Sequence, residues 1–169
     1  MGVTGGIAAY KSVELLRLLV KEGAAVRVIM TANAGYFVGP MTFEALSRQR
    51  VCRTLFETTD EAAVQHIHWA QEADAVVIAP ATANIIGKLA AGIADDALST
   101  FMLAVTCPVL VCPAMNSDMY ASQAVQARRQ RSRDSTSLRE AAQATDSTRS
   151  GCRAKSAATK ALRHTAPVT

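Results

Sequence analysis

The chain has 169 residues, of which 50% are hydrophobic and 19% are charged. This composition excludes a mostly disordered protein, and four cysteines without paired metal-ligand spacing exclude a disulfide scaffold. The longest apolar stretch, Phe101–Cys112, is too short for a membrane span. The first residues lack the basic segment of a signal peptide, so we expect a cytoplasmic protein without a membrane partner.

The net charge of +4 is unevenly distributed. Residues 1–120 hold 8 basic and 11 acidic residues, whereas residues 121–169 hold 10 basic and 3 acidic ones. A basic surplus often indicates nucleic-acid binding. Here it belongs entirely to a carboxyl-terminal segment of different composition, so we expect no nucleic-acid partner.

Residues 1–120 alternate between strand-like and helix-like segments. In chain order, the sequence predicts a strand end at Met1–Thr4, a helix at Ile7–Glu22, a strand at Val26–Met30, a helical segment at Phe43–Ser47, a mixed segment at Asp60–Ala73 that is helical toward its end, a strand at Ala75–Ala79, helices at Ala83–Ala91 and Ala94–Val105, and a strand at Val109–Cys112. This alternation indicates a parallel α/β sheet with helices on both faces.

Each predicted strand ends in a turn of small or polar residues. The four turns are Thr4-Gly5-Gly6, Thr31-Ala32-Asn33, Pro80-Ala81-Thr82-Ala83-Asn84 and Pro113-Ala114-Met115-Asn116. Because ligands bind such sheets at the carboxyl ends of the strands, we expect the four turns to line one binding edge.

The first turn joins a strand to a helix through two glycines. Glycine lets a phosphate approach the backbone, and the helix N-terminus supplies N–H donors. The pattern is not the dinucleotide motif G-x-G-x-x-G, and Thr31 stands where a ribose-binding acidic residue would follow the next strand. The turn therefore favours a mononucleotide over NAD, although a tight turn without any ligand explains it equally well.

The other motifs are ambiguous when each is taken alone. His66-Ile67-His68 could supply an acid or base or could be a surface pair, and its spacing does not suit a metal. Thr82 and Asn84 could bind the polar edge of a ring, while Asp95-Asp96 is more typical of a helix cap than of a metal site. The Asn116 amide could hold a carboxylate, or Ser117 or Asp118 could simply cap a helix.

Taken together, the motifs GVTGGIAAYK, HIxxAxxAD, APATANxxGKxAxGxADD and PAMNxxMY resemble the flavin-dependent cysteine decarboxylases. The chain is most similar to the phosphopantothenoylcysteine decarboxylases of coenzyme A biosynthesis, in the form that bacteria fuse to a phosphopantothenate–cysteine ligase. The resemblance implies a Rossmann-like (flavodoxin-like) fold, bound FMN, no metal, and trimers with the flavin near a subunit interface.

The resemblance also assigns roles to individual residues. His66 matches the active-site histidine of the family, whereas His68 does not. Asn116 matches the asparagine that holds the substrate carboxylate. The positions that match FMN contacts are Gly5, Gly6, Ile7, Thr31, Ala32, Asn33, Thr82, Ala83, Asn84, Ile85 and Ala114.

The implied substrate is 4′-phosphopantothenoylcysteine. Its cysteine thiol is oxidised to a thioaldehyde, CO2 leaves to give an enethiolate, and return of the electrons with protonation by a cysteine gives 4′-phosphopantetheine. Two alternatives stay open, namely a decarboxylase of peptides with a carboxyl-terminal cysteine and a non-catalytic flavin-binding regulatory protein.

The chain departs from the family pattern at both ends. The family has several more residues before the first glycine turn, so we expect a truncated first strand. The resemblance stops just after Gln126, before the substrate-covering flap with its A-C-G-x-x-G-x-G-R motif. Cys152 does not match the proton-donating cysteine of that flap. We therefore expect impaired decarboxylation.

These departures divide the chain into an incomplete flavoprotein domain, residues 1–127, and a basic tail of low hydrophobicity, residues 128–169. The abrupt change in composition is typical of a frameshifted reading frame. We expect the tail to be largely disordered, with at most a few helical turns around Ser137–Ala144, and to add nothing to the fold.

Overall fold

In a computed structural model of the protein, the structure describes residues 1–54, 62–127 and 138–140, with only the backbone described for 62–66 and 138–140. The elements in chain order are β1 (Gly2–Val3), α1 (Ala9–Lys21), β2 (Ile29–Met30), a 3₁₀ helix (Ala32–Tyr36), α2 (Pro40–Ser47), α3 (Ala62–Glu72), β3 (Val76–Ala81), α4 (Ala83–Ala91), α5 (Ala97–Ala104), β4 (Val109–Pro113), α6 (Ser117–Ala121) and β5 (Leu138–Glu140).

The described strands form one parallel sheet in the order β2-β1-β3-β4-β5. β1 lies at the centre, where Gly2 is in register with Ile29 of β2 and with Ile78 of β3. This is the flavodoxin-like strand order, in which the direction of winding reverses between β1 and β3. The predicted fold class is confirmed.

Two apolar clusters form the core. One contains Leu16 of α1 and Phe43 of α2, together with Val3 of β1. The other contains Leu98 of α5, packed with Ile78 of β3. Since successive residues of a strand point to opposite faces, β2 contributes Met30 to the first cluster and Ile29 to the second, and in β3 Val77 packs against the first cluster while Ile78 belongs to the second.

Several predicted boundaries were wrong; the helix predicted at Phe43–Ser47, for example, begins at Pro40. The predicted strand Val26–Met30 is reduced to Ile29–Met30, because the neighbouring β1 pairs only Gly2 and Val3 with it. The predicted strand Ala75–Ala79 instead runs to Ala81 and includes the cis bond that precedes Pro80. The predicted helix that starts at Ala94 instead begins at Ala97.

The tail also differs from our expectation. The backbone of Leu138–Glu140 forms β5, which pairs with Val109–Val111 of β4. The expected helical turns around Ser137–Ala144 are therefore wrong at these three residues, as is the expectation that the tail adds nothing to the fold. The rest of the predicted tail lies outside the described residues. Within the described ranges, no helix is long and apolar enough to cross a membrane.

Candidate functional site

The first and second strand-end turns are in direct contact. The backbone N–H of Thr31 donates to the carbonyl of Val3 at 3.0 Å. A Cβ added to Gly5 would lie 2.4 Å from the Cβ of Asn33 and 2.7 Å from its carbonyl carbon. Only glycine fits at this position, so the Gly5 that we predicted as a ligand contact is also required for packing.

The first turn is joined to the third by a buried hydroxyl. Thr4, which is only 1% exposed, donates from Oγ1 to the carbonyl of Pro80 at 2.6 Å and accepts from the N–H of Thr82 at 3.1 Å. The Ser12 hydroxyl of α1 donates to the neighbouring carbonyl of Ala79 at 2.6 Å. These bonds fix the end of β1 and the start of α1 against the end of β3.

The third turn is joined to the fourth through the backbone. The N–H of Ala114 donates to the carbonyl of Ala81 at 3.0 Å. Together with the contacts above, this bond places all four predicted turns along the carboxyl edge of the sheet. Our expectation that they line one edge is confirmed.

Asn116 caps α6. Its Oδ1 accepts a 2.8 Å hydrogen bond from the N–H of Asp118. The capping residue is therefore neither Ser117 nor Asp118, which we had considered. Because Oδ1 is engaged, the amide nitrogen is the part of this exposed side chain that is left to donate to a ligand.

The third turn leads directly into α4. Thr82 is the N-cap, and its Oγ1 accepts from the N–H of Ile85 at 3.5 Å. Asn84 is exposed, and Ala83 is half-buried. The side chain of Ile85, by contrast, is 1% exposed and belongs to the core. Of the predicted contacts in this turn, Ile85 is thus the one whose side chain faces away from solvent.

Large apolar side chains are exposed after the first two turns. Ile7 is 78% exposed and Tyr36 is 86% exposed, and Tyr10, Phe37 and Met41 are also exposed. Apolar residues grouped in this way on a surface usually mark a site of contact with a ligand or another chain. Of these exposed residues, only Ile7 was among the predicted FMN contacts. The aromatic pair Tyr36-Phe37, a few residues after the polar second turn, was a sequence signal that could have indicated this surface.

Both histidines of the predicted motif, His66 and His68, lie on helix α3. The side chain of His66 lies outside the described residues. Nδ1 of His68 contacts Oε1 of Glu72 at 3.1 Å, and Glu72 in turn pairs with Nη1 of Arg27 at 2.6 Å. The Arg27 hydrogen bond is the main reason that the pKa of Glu72 is lowered.

Because of the direction in which α3 runs, its two ends lie toward opposite edges of the sheet. Its last residue, Glu72, leads into β3, so it lies near the amino ends of the strands. His66 is six residues earlier, which at the α-helical rise puts its backbone about 9 Å closer to the carboxyl edge. The amino-terminal end of α3 therefore lies toward the edge where the four turns meet.

Asp96 of the Asp95-Asp96 pair caps α5, as the more ordinary interpretation of this pair predicted. Asp96 accepts from the N–H of Ser99 at 2.8 Å, and the Ser99 hydroxyl accepts from the N–H of Asp96 at 3.1 Å. Nζ of Lys88 contacts both carboxylates, at 2.6 Å and 2.7 Å. Among the residues that the structure describes, no group of three or more His, Cys, Asp or Glu could hold a metal.

Curated proteins that are similar to this chain include two bacterial relatives of the same kind. The coenzyme A biosynthesis bifunctional protein CoaBC of Bacillus subtilis is 53% identical over 123 residues, which are 73% of this chain and 30% of that protein. CoaBC of Mycobacterium tuberculosis H37Rv is 50% identical over 120 residues, 71% of this chain and 28% of that protein. The chain spans less than a third of the length of these relatives.

Solved structures with the same fold include flavoenzymes. The FMN-dependent cysteine decarboxylase SpaF has 31% identity and a TM-score of 0.81, over 98% of this chain and 95% of that chain. A variant of PPC decarboxylase, complexed with pantothenoylaminoethenethiol, has 28% identity and a TM-score of 0.69, over 83% of this chain and 78% of that chain.

The sequence profile of the Flavoprotein family matches residues 1–148. The match continues past Gln126, where we had expected the resemblance to end, and it includes β5. Because the profile covers most of the sequence, the chain belongs to the Flavoprotein family.

Proposed function

We propose that the carboxyl edge of the sheet binds FMN. The residues that would hold it are the predicted ones of the four turns: Gly5, Gly6, Ile7, Thr31, Ala32, Asn33, Thr82, Ala83, Asn84, Ile85 and Ala114, with Ile85 acting through its backbone. The observation that carries the proposal is the convergence of these turns at the point where the sheet reverses its winding, which is where mononucleotides bind in this strand order.

The chemistry of the edge suits a flavin mononucleotide. The turn that contains Gly5 and Gly6 leads into α1, and Thr82 caps α4, so two helix N-termini offer N–H donors to a phosphate. Small residues, including Ala83 and Ala114, leave space for a flat ring. The exposed side chain of Ile7 offers it an apolar surface.

We further propose that the chain acts in the decarboxylation of 4′-phosphopantothenoylcysteine. Support comes from relatives named for coenzyme A biosynthesis and from a structural neighbour named PPC decarboxylase. FMN, when bound, would supply the oxidation of the cysteine thiol that makes loss of CO2 possible. The neighbour SpaF is named only as a cysteine decarboxylase, so a peptide with a carboxyl-terminal cysteine is the second candidate substrate.

Two residues of this chain have proposed roles in that reaction. The amide nitrogen of Asn116 would donate to the substrate carboxylate and hold it in place, since its oxygen is already bonded to Asp118. His66 would act as the acid or base that exchanges a proton with the substrate thiol, because imidazole titrates near neutral pH.

We also propose a trimer-based assembly in the cytoplasm, with residues 1–127 as the flavin-binding unit. The exposed Tyr36, Phe37 and Met41 lie just after the second turn and would be covered by a neighbouring copy. If so, Tyr36→Ser should lower the sedimentation coefficient, whereas Leu103→Ser, at an exposed position of α5, should leave it unchanged. An unchanged coefficient in Tyr36→Ser would contradict this interface.

Gly6 allows a sharp test of FMN binding. A Cβ at Gly6 would lie 3.5 Å from Cγ2 of Thr82, an ordinary contact, so Gly6→Ala should fold normally. If FMN approaches this backbone, the added methyl group should weaken FMN binding by at least tenfold in a fluorescence titration. Gly39→Ala, which has nothing within 4 Å of its Cβ, is the matched control. Equal FMN affinity in the two variants would contradict the proposal that FMN binds against the backbone of Gly6.

Substrate choice is tested separately. FMN-loaded protein is incubated with 4′-phosphopantothenoylcysteine or with a peptide that ends in cysteine, and released CO2 is measured. Release from the first substrate alone supports the proposal, whereas release from the peptide alone favours the second candidate. FMN binding without CO2 release from either substrate would favour the non-catalytic alternative.

A further inference from the structure

After α2, the chain runs alongside β2 for a few residues. The N–H of Cys52 donates to the carbonyl of Val28 at 3.0 Å, and the carbonyl of Cys52 accepts from the N–H of Met30 at 2.8 Å. Cys52 thus forms a parallel bridge with Ile29. The next residue, Arg53, is level with Met30, the last residue of β2. The backbone of Arg53 therefore lies at the carboxyl edge, beside the second turn.

The side chain of Arg53 lies on the face of the sheet that α1 and α2 cover. Val51 is 5% exposed and belongs to the core cluster that contains Phe43. Residues two apart in an extended segment point to the same face, so Arg53 follows Val51. Nη2 of Arg53 lies 3.6 Å from the position that a Cβ of Gly35 would occupy. The guanidinium is therefore against the 3₁₀ helix that contains the end of the second turn.

The same 3₁₀ helix contacts the first turn. Asn33 lies against Gly5, and Gly35, two residues later, lies against Arg53. One short segment thus contacts both the glycine turn and the guanidinium. Since the glycine turn is part of the proposed FMN site, Arg53 places a positive charge at the border of that site.

No acidic side chain neutralises this charge within the described part of the chain. None of the ion pairs between described residues includes Arg53, and its side chain is exposed. Glu44 of α2 reaches the same segment, but its Oε1 accepts from the backbone N–H of Val51 at 3.0 Å. A guanidinium carries five N–H donors in a planar fork that matches the oxygens of a phosphate. Arg53 therefore has donors to offer to an anionic ligand.

We propose that Arg53 binds the phosphate monoester of a ligand at the carboxyl edge. This inference rests on the proposed function, because FMN and 4′-phosphopantothenoylcysteine both carry such a group. The backbone N–H groups beside Gly5 and Gly6 are neutral donors, and the guanidinium adds a full positive charge to them. Arg53 thereby determines specificity, since it favours a phosphorylated ligand over the same ligand without its phosphate.

The first arm of the test measures flavin affinity by fluorescence titration with FMN and with riboflavin, which lacks the phosphate. Arg53→Gln should weaken FMN binding about tenfold or more and leave riboflavin binding unchanged, whereas Arg53→Lys should retain part of the preference for FMN. Arg17→Gln is the control, because it makes the same change in net charge. Arg17 is exposed and lies eight residues after Ala9 in α1, about 12 Å further from the carboxyl edge.

The second arm measures CO2 release at saturating FMN, with 4′-phosphopantothenoylcysteine and with its dephosphorylated analogue. If Arg53 binds the substrate phosphate, Arg53→Gln should raise KM for the phosphorylated substrate alone and leave kcat nearly unchanged. A loss confined to FMN affinity assigns the contact to the flavin, and a rise confined to this KM assigns it to the substrate.

Two results would overturn the proposal. One is that Arg53→Gln behaves like Arg17→Gln in both arms. The other is an equal loss of FMN and riboflavin affinity, which would show that Arg53 only stabilises the fold of the edge. Failure of the proposed function is distinguishable from both, because the original protein would then bind neither flavin, and the assignment of a phosphate to Arg53 would fall with it.

Discussion

Gly5 lies where the first two strand-end turns touch, with the backbone of Asn33 against its Cα. The contact leaves no space for a side chain, so the residue is constrained by the fold before any ligand is considered. The hydroxyl of Thr4 is similarly constrained, because it joins β1 to β3 from a fully buried position. At the scale of single residues, the geometry of the site is thus held by small side chains.

The first prediction concerns Gly5→Ala. Its methyl group would overlap Asn33, so we expect the free energy of unfolding to fall by about 1–3 kcal/mol, as for other overpacked sites. Urea denaturation measures the change. Gly39→Ala meets no atom within 4 Å and should lose distinctly less stability, limited to the weaker N-cap of α2. A fully stable Gly5→Ala protein would show that the two turns are not in contact.

The second prediction concerns Thr4→Val, which removes the buried hydroxyl at nearly constant shape. The carbonyl of Pro80 and the N–H of Thr82 would both lose their partner, so we expect a loss of about 1–3 kcal/mol. Thr106→Val, at an exposed position, is the control and should be close to neutral. Equal losses of stability in the two variants would show that the hydrogen bonds of the Thr4 hydroxyl do not join β1 to the end of β3.

The third prediction separates the two histidines. In FMN-loaded protein that releases CO2, His66→Asn should abolish the release and retain FMN, whereas His68→Asn should reduce it only slightly. The reason is that His68 is bonded to Glu72 at the amino-end side of α3, while His66 lies closer to the carboxyl edge. Equal losses in both variants would show that the acid–base residue is misassigned.

At the scale of elements, two ion pairs stabilise the connection between α4 and α5. Lys88 bridges Asp95 and Asp96, and Asp96 with Ser99 forms a capping box at the start of α5. Burial alone would raise the pKa of the Asp96 carboxyl, but the hydrogen bonds from Lys88 and Ser99 lower it below its ordinary value of 3.8. The folded protein therefore favours the ionised form.

The fourth prediction follows from this pKa. A carboxyl whose pKa is depressed on folding stabilises the protein above its unfolded pKa and loses that effect as the pH falls through the folded one. Asp96→Ala should cost about 0.5–2 kcal/mol at pH 7, a typical loss for an N-cap, and distinctly less near pH 2. Urea midpoints at both pH values test this. Thr106→Val, which removes no ionisable group from an exposed position, is the control and should show no such difference.

At the scale of the whole molecule, the sheet extends into the tail. β5 pairs with Val109–Val111, so β4 is not the edge strand of the described sheet. This matters because an uncovered strand edge exposes unpaired N–H and carbonyl groups. The Flavoprotein profile ends at residue 148, shortly after this strand.

The fifth prediction compares two truncations. Ending the chain after residue 127 removes β5 and should lower the thermal midpoint, whereas ending it after residue 148 keeps β5 and should leave the midpoint nearly unchanged. Differential scanning fluorimetry measures both proteins under the same conditions. Equal midpoints for the two truncations would restore the original expectation that the tail adds nothing.

The sequence by itself determined the order and type of the elements in residues 1–120 and the meeting of the four turns. These features depend on local periodicity, on glycine and on the general rule that parallel strands end at one edge. It also determined the family, because the motifs are specific. The α4 boundaries, Ala83–Ala91, were predicted correctly because both ends carry local signals, Thr82 before the helix and Gly92 after it.

Only the tertiary structure decided what depends on partners distant in the chain. Val26–Val28 has a strand-type sequence, but a strand forms only where another strand pairs with it, and β1 reaches only Ile29 and Met30. The role of Thr4 depends on Pro80, which is 76 residues away. Such a contact exists only in the folded chain, because no local sequence pattern specifies a partner 76 residues away.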